Sequence, residues 1–399
     1  MRVKINLIVR CILLVFLVTL TGCYYFNTLH EGVLINTVTN ENAQSPTEIS
    51  GVWSLAELTH IAEVIVVGKI VRIQSFYTDD DGWIVTDVQI QVEKTLKGIA
   101  PQQLAVRTLG GEVDNVVLKV THEPHFSYGE RAVLFLNLCS DVLSPLAGAF
   151  VTVGGFKGKL TLKDGRVAEM FPLTEPELLD IIQRLLKGED IGKEPQFIPQ
   201  DDPFVPNASG GVSPLSPYSY SDWRWPASAP RVQYYINPSG IVSSQQSLVI
   251  SAINAASTAW NNVGSKFIFS YEGTTSRVAR QDGYNIVEMR YNYGATGWPA
   301  KTSIWAYKKG SSNCYYYDVF ECDMIFNLYY KWAIGSVSGY FDVQNIATHE
   351  FGHFLVLNDL YRPSSCEATM YGYASTGETK KRSLEYEDKQ GMLDIYGYR

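Results

Sequence analysis

The sequence predicts an α+β fold for its second half, a twisted mixed β-sheet with a few helices. A mainly β domain of barrel or sandwich type precedes it. Two patterns carry this. Short period-2 apolar runs broken by Gly pairs fill residues 51 to about 172. After residue 221 the order becomes strand, helix, several strands, helix. A Pro-rich stretch separates the two halves. Across 399 residues, 46% are hydrophobic and 19% charged, enough apolar material for packed cores. The net charge is −8 and no Lys/Arg cluster stands out, which excludes nucleic acid as the main partner.

Residues 1–22 read as a targeting segment. Arg2, Lys4 and Arg10 give a positive start, and Cys11 to Leu20 is an apolar run too short for a comfortable membrane span. Leu20-Thr21-Gly22-Cys23 resembles the bacterial lipobox, which implies a lipidated Cys23 and a chain anchored to a membrane outside the cytoplasm. The polar residues 23–50 then read as a tether.

Residues 51–188 form the first unit. Val64 to Val67 is a short apolar run, and Val88, Ile90 and Val92 alternate with Gln89, Gln91 and Glu93 as in a half-buried strand. Further runs are Val116–Val120, Ala132–Leu136 and Phe150–Val153, with Gly110-Gly111 and Gly154-Gly155 as punctuation. A helix closes the unit. Thr174 and Glu177 form a capping box, Leu178, Ile181, Ile182, Leu185 and Leu186 make one stripe, and Gly188 ends it. Residues 189–220 carry Pro195, Pro199, Pro203, Pro206, Pro214 and Pro217 and read as a linker.

The second unit, 221–399, opens with a strand at Val232–Ile236. Ser243 or Ser244 then caps a helix with the face Val249, Ala252, Ile253, Ala256 and Trp260. Strands follow at 267–271, 286–291, 303–307 and 323–326. Asp342 is a suitable N-cap for a helix over about 343–357.

That helix carries His349-Glu350-Phe351-Gly352-His353. Positions i and i+4 share a face, so both imidazoles can reach one metal ion. Glu350 lies about 100° around the helix, near enough to serve a water on that ion without ligating it. This is the arrangement of metal-assisted hydrolysis, with Zn2+ as the metal and Glu350 as general base. With only 6 His in the chain, such a pattern arises by chance about half a percent of the time. A third ligand must come from elsewhere. Asp359 qualifies only if the chain leaves the helix after His353, because six further helical residues would turn it about 240° away.

His349-Glu350-x-x-His353-x-x-Val356-x-x-Asp359 resembles the metzincin motif in its variant with Asp as third ligand. Ala368-Thr369-Met370-Tyr371 resembles the Met-turn, which would place Met370 as an apolar floor under the ligands. Leu384–Gly397 resembles the C-terminal helix of matrixin-like domains. Cys322-Asp323-Met324-Ile325-Phe326-Asn327 resembles the edge strand above the active site there. The resemblance covers about 221–399. It implies a zinc endopeptidase, a protein or peptide substrate, and one catalytic Zn2+. A structural Ca2+ would be compatible, though no residue pattern indicates one. It also implies an extended substrate paired along Asp323, Met324, Ile325, Phe326 and Asn327. Selectivity would come from a pocket near Tyr371–Thr376.

Two departures stand out. The family has Gly where this chain has Val356, so either the left-handed turn shifts to Asn358 or Val356 bears the strain. Gly372 stands where some metzincins keep a Tyr two residues after the Met, so no Tyr is assigned as ligand or oxyanion donor. Glu385 or Glu387 from a second helix is the competing third ligand. Thr121-His122-Glu123-Pro124-His125 places two His three apart around a Pro in a β-rich region, and reads as a loop rather than a metal site.

Cys139, Cys314, Cys322 and Cys366 allow three pairings in an exported chain, and Cys314 with Cys322 could close a small loop. No Cys of the first unit carries a motif that would let it reach the metal. Two functions fit: a lipid-anchored surface endopeptidase, or a surface binding lipoprotein whose peptidase domain has decayed.

Overall fold

The computed structural model describes residues 32–36, 54–78, 82–140, 144–170, 173–195, 197, 218–220, 222–227, 231–291, 298–311 and 314–399. The targeting segment and Cys23 lie outside the described residues, as does most of the Pro-rich stretch. Gly32–Arg399 packs as one compact unit. Among the described residues no helix is long and apolar enough to cross a membrane.

Part of the expected tether is built into the fold. β1 (Val33–Ile35) pairs antiparallel with β17 (Trp332–Ile334), and the buried Ile35 joins the second half's core. α1 (Leu55–Ile61) starts on a Ser54/Glu57 capping box. Two 14-residue strands, β2 (Val64–Tyr77) and β3 (Ile84–Lys97), then pair antiparallel and bend through several register shifts. The predicted alternation in β3 holds, with Val88 and Ile90 fully buried. β4 (Gln103–Leu109), β7 (Arg131–Leu138) and β8 (Phe150–Thr152) complete a ring in the order β7-β2-β3-β4-β8, and β8 pairs back onto β7. Closure makes the first unit barrel-like. β9 (Lys159–Lys163) and β10 (Arg166–Val167) extend beyond β7. α2 (Glu175–Leu186) has the predicted Thr174/Glu177 capping box and packs Leu178 and Ile182 against Leu58, Ile65 and Phe135.

Between β4 and β7 the chain leaves the ring. Gly110 and Gly111 take positive φ of 95° and 137°, where a side chain would be strained. A β-carbon on Gly110 would also sit 2.8 Å from the Leu118 carbonyl oxygen. The hairpin β5 (Gly111–Val113) and β6 (Val116–Val120) thereby projects into the sheet of the second half.

That sheet runs β13-β12-β14-β16-β15-β6-β5. Its second-half strands are β12 (Arg231–Asn237), β13 (Ile268–Thr274), β14 (Ile286–Arg290), β15 (Ala300–Ser311) and β16 (Cys314–Asn327). The first three and β16 are mutually parallel, and β15 is antiparallel. β11 (Trp223–Arg224) pairs with the start of β16. α3 (Gln246–Asn261) buries the predicted stripe of Val249, Ala252, Ile253, Ala256 and Trp260. Ser243 and Ser244 lie in a short 3-10 turn ahead of it, and neither caps the helix. β18 (Phe341–Asp342) leads into α4 (Val343–Phe354), and α5 (Tyr386–Tyr396) closes the chain.

Two expectations need correction. Asp323, Met324, Ile325, Phe326 and Asn327 do not form an edge strand. They belong to β16, which pairs with β14 on one side and β15 on the other, and all five are fully buried. Met324, Ile325 and Phe326 form the continuous apolar stretch expected of a strand covered on both faces, and Asp323 accepts from the Ile286 amide at 2.7 Å. Nor can Cys314 and Cys322 close a loop. They lie eight residues apart on the same extended strand, where the chain spans far more than a disulfide, and Cys139, Cys322 and Cys366 are free thiols.

Candidate metal centre

α4 is the rigid part of the site. Asp342 caps it, its carboxylate accepting from the Asn345 amide at 2.7 Å and from the Arg382 guanidinium, Nε at 2.8 Å. Every helical residue except Gln344 is buried. The Trp260 indole on α3 donates to the Thr348 carbonyl at 2.8 Å, locking the two helices together.

The helix ends in a left-handed turn that brings Asp359 back to the two imidazoles. Val356 has φ of 66°. Its amide donates to the His353 carbonyl (2.8 Å) and the Leu357 amide to the Gly352 carbonyl (3.1 Å). This is a Schellman motif with Val in the place Gly usually fills. Val356, rather than Asn358, therefore bears the strain. Asn358 is buried and engaged elsewhere, its amide donating to the Ser219 carbonyl at 2.9 Å and its side-chain oxygen accepting from Lys119 at 2.8 Å.

The turn brings Asp359 Oδ1 to 3.2 Å from His349 Nε2 and 3.5 Å from His353 Nε2, while the two Nε2 atoms lie 3.2 Å apart. Ligands about 2.0–2.1 Å from a tetrahedral zinc ion lie about 3.3–3.4 Å from one another, so the three atoms fit such an ion. Their proton state fits as well. His349 Nδ1 faces the Thr369 carbonyl and His353 Nδ1 the Leu357 carbonyl, each at 2.8 Å. With the proton on Nδ1 of each imidazole, both Nε2 lone pairs point at each other and at a carboxylate; the Thr369 carbonyl also accepts from the Lys381 ammonium, at 3.1 Å. Asp359 Oδ1 is buried without a well-formed hydrogen bond. Three converging lone-pair donors in a buried site call for a cation.

The metal-free electrostatics show the same tension. Burial pushes the His349 imidazole down, and nearby Lys381 adds to this. For His353 burial acts the same way, but the Asp359 charge outweighs it and the imidazole is raised. Burial opposes ionisation of Asp359, yet the His353 and His349 partners hold its carboxyl well below the usual range.

Glu350 sits on the same helix with its carboxylate fixed by the Thr302 hydroxyl of β15 at 2.7 Å. Met370 lies beneath Gly352, where a β-carbon would overlap the Met370 sulfur and lie 3.0 Å from the Trp260 ring. Asp388 on α5 holds this turn by accepting from the Thr369 and Met370 amides at 2.8 and 3.0 Å. Glu385 and Glu387 start α5 outside the ligand cluster, so the competing ligand assignment fails. Tyr371, Gly372, Tyr373 and Ala374 of the expected selectivity segment line a small cavity beside His349 and Glu350. Gly372 is required there, because a β-carbon would overlap the Tyr361 ring.

Sequence reasoning missed three neighbours. The Tyr361 hydroxyl donates to Asp359 Oδ2 at 3.2 Å. Lys381 is buried beside His349, its ammonium donating to the Thr369 carbonyl at 3.1 Å and to the Tyr371 carbonyl, and burial pushes it down to about 8. The third is His122, which stands in a loop as expected but is brought beside the metal centre. Its ligand atom joins those of His349, His353 and Asp359 in one group within 4.8 Å, with Nδ1 at 3.7 Å from Asp359 Oδ2. Spacing excluded His122 and His125 from sharing an ion with each other, but it could not anticipate partners more than 200 residues away. His125 stays outside the cluster.

A mixed sheet, a helix presenting His349 and His353, a left-handed turn that brings Asp359 to them and Met370 packed against Gly352 are the features expected of a metzincin type of domain. Sequence comparison gives the same answer: residues 224–397 match the family described as matrixin, and this segment is a matrixin-like metzincin domain. No curated protein matches the chain.

Proposed function

We propose that the chain is a zinc-dependent endopeptidase, tethered outside the cytoplasm through a lipidated Cys23. The observation that carries this is the triangle of His349 Nε2, His353 Nε2 and Asp359 Oδ1, with sides of 3.2 to 3.5 Å and Glu350 one residue along the helix. These three residues would hold the metal. When bound, zinc acidifies a water molecule and polarises a substrate carbonyl. Glu350 is the proton acceptor and then the donor to the leaving amine. Thr302 keeps the Glu350 carboxylate in one orientation. Thr369 and Leu357 carbonyls fix the two imidazoles, and Tyr361 fixes Asp359. The matrixin match supports protein or peptide as the substrate class.

The alternative, an inactive binding lipoprotein, would follow if Val356 prevented the turn that brings Asp359 to the imidazoles. It is weakened because the turn forms with Val356 in place and all three ligands still converge. Metal analysis tests the proposal. The full-length chain should bind one zinc, His349→Ala should lose it, and Glu350→Ala should keep it while losing hydrolysis of an unfolded protein. A chain that binds no zinc overturns the reading.

A further inference from the structure

Lys380, Lys381 and Arg382 form a 3-10 turn between the Met-turn and α5. Its two outer residues meet carboxylates: Lys380 Nζ lies 3.5 Å from Glu367, and Arg382 pairs with Asp342. Lys381 differs. It is 1% exposed, and among the described residues no carboxylate pairs with its ammonium. The backbone fixes its direction. Its amide donates to Asn345 Oδ1 of α4 at 2.8 Å, and its carbonyl accepts from the Thr369 hydroxyl at 3.1 Å.

An ammonium carries three N–H donors. That of Lys381 donates to the Thr369 carbonyl at 3.1 Å and to the Tyr371 carbonyl. The remaining neighbour, His349 Nδ1 at 3.4 Å, is no acceptor while it holds the imidazole proton. A buried positive charge is stable when it meets an opposite one. Here its close partners are two carbonyl oxygens and the Tyr371 ring, at 5.9 Å.

Beside this ammonium lies open space. Lys381 lines the cavity of about 50 Å3 that borders His349 and Glu350, and Ile346, Tyr373 and Ala374 supply its walls. Lys157, 4.8 Å over the Tyr373 ring, lines it too. The charged lining is thus two lysines and one carboxylate, Glu350, which the Thr302 hydroxyl already engages. Such a space favours an anion. One water needs roughly 10–15 Å3, so the cavity holds about three or four. That suits an Asp or Glu side chain and excludes an aromatic one.

We infer that Lys381 is a specificity-determining residue: the cavity takes the carboxylate side chain of a substrate residue bordering the cleaved bond, and Lys381 is its counter-charge. A side chain lodged beside His349 and Glu350 belongs to such a residue, because successive residues of an extended peptide are only about 3.3 Å apart. This rests on the peptidase reading above and narrows its substrates to bonds next to Asp or Glu.

The test uses the full-length, zinc-loaded chain and peptides that differ at one position, Asp, Asn or Leu, placed on one side or the other of a single cleavable bond. Mass spectrometry identifies the products. On the side whose residue enters the cavity, Asp should exceed Asn and Leu by about tenfold or more in kcat/KM, because a site built to pair a buried group rejects analogues that leave it unpaired. Lys381→Gln removes the charge and keeps N–H donors for the two carbonyls, while Lys381→Met keeps only the bulk. In both, the ratio of Asp to Asn should fall to about one. The ratio is taken within each chain, so a general loss of activity cannot imitate this result. A wild-type ratio near one on both sides of the bond overturns the inference without any variant and leaves the peptidase reading intact. A preference for Asp that survives both substitutions also overturns it, since another group then reads the carboxylate. A chain that cleaves neither acidic nor neutral peptides fails the peptidase reading, and this inference with it.

Discussion

At the scale of single residues, Val356 is the point where sequence expectation and structure meet most closely. Positive φ costs a β-branched residue about 1–2 kcal/mol. Val356 is nonetheless 2% exposed and packed in the main core. Burying a Val side chain is worth about 1.5–3 kcal/mol, and Gly there would cost a further 0.5–1 kcal/mol or so in backbone entropy. The gains from burial exceed the strain. Val356→Gly should therefore destabilise the metal-free chain by about 1–2 kcal/mol despite restoring the family residue. Chemical denaturation of the two proteins checks this, and a stabilised variant would mean that strain dominates. Both His ligands and Glu350 were legible from spacing alone, because a helix fixes i and i+4 on one face. Asp359 was legible only through resemblance, since its delivery depends on a turn that local preferences disfavour.

At the scale of elements, the floor of the site depends on how closely α4 approaches the Met-turn. Gly352 faces Met370 with no space for a methyl group. Gly352→Ala should improve helix propensity by up to about 1 kcal/mol but overpack this contact by about 1–3 kcal/mol, giving net destabilisation. Met370→Ala in the same chain should recover part of the loss, so the double mutant should be more stable than the sum of the single changes. Thermal unfolding of the four proteins measures the coupling, and strict additivity would show that the two residues do not compete for space. Strand existence was readable throughout, as at Val232–Ile236 and Val88–Val92, because alternation reports the pleat. Strand position was not. The Cys322–Asn327 run reveals that it is a strand, while its central place in the sheet is set by β14 and β15, from distant parts of the chain.

At the scale of the whole molecule, buried polar groups tie loops to the sheet and make stability depend on pH. Glu321 on β16 accepts from the Asp282 and Gly283 amides at 2.9 and 2.6 Å, pinning the loop before β14. Burial dominates its environment and pushes its carboxyl from 4.5 up to about 7. The folded chain then keeps a proton that the unfolded chain has already released, and stability falls as pH rises through that window. Glu321→Gln should flatten the slope of melting temperature between pH 4.5 and about 7. An unchanged slope would assign the pH dependence to other groups.

From the sequence alone came what local periodicity and short-range geometry encode: the β-rich first half, the capped helices, the core stripe of α3 and the His349–His353 pair. Tertiary structure decided the rest. It placed β16 in the middle of its sheet, folded part of the presumed tether into a strand, and carried the β5–β6 hairpin out of the barrel so that His122 meets the ligands of α4. The reason is physical. Helical and strand periods are properties of neighbouring residues, whereas a contact between residues 122 and 349 exists only once two separately folded surfaces have matched their open edges and buried groups.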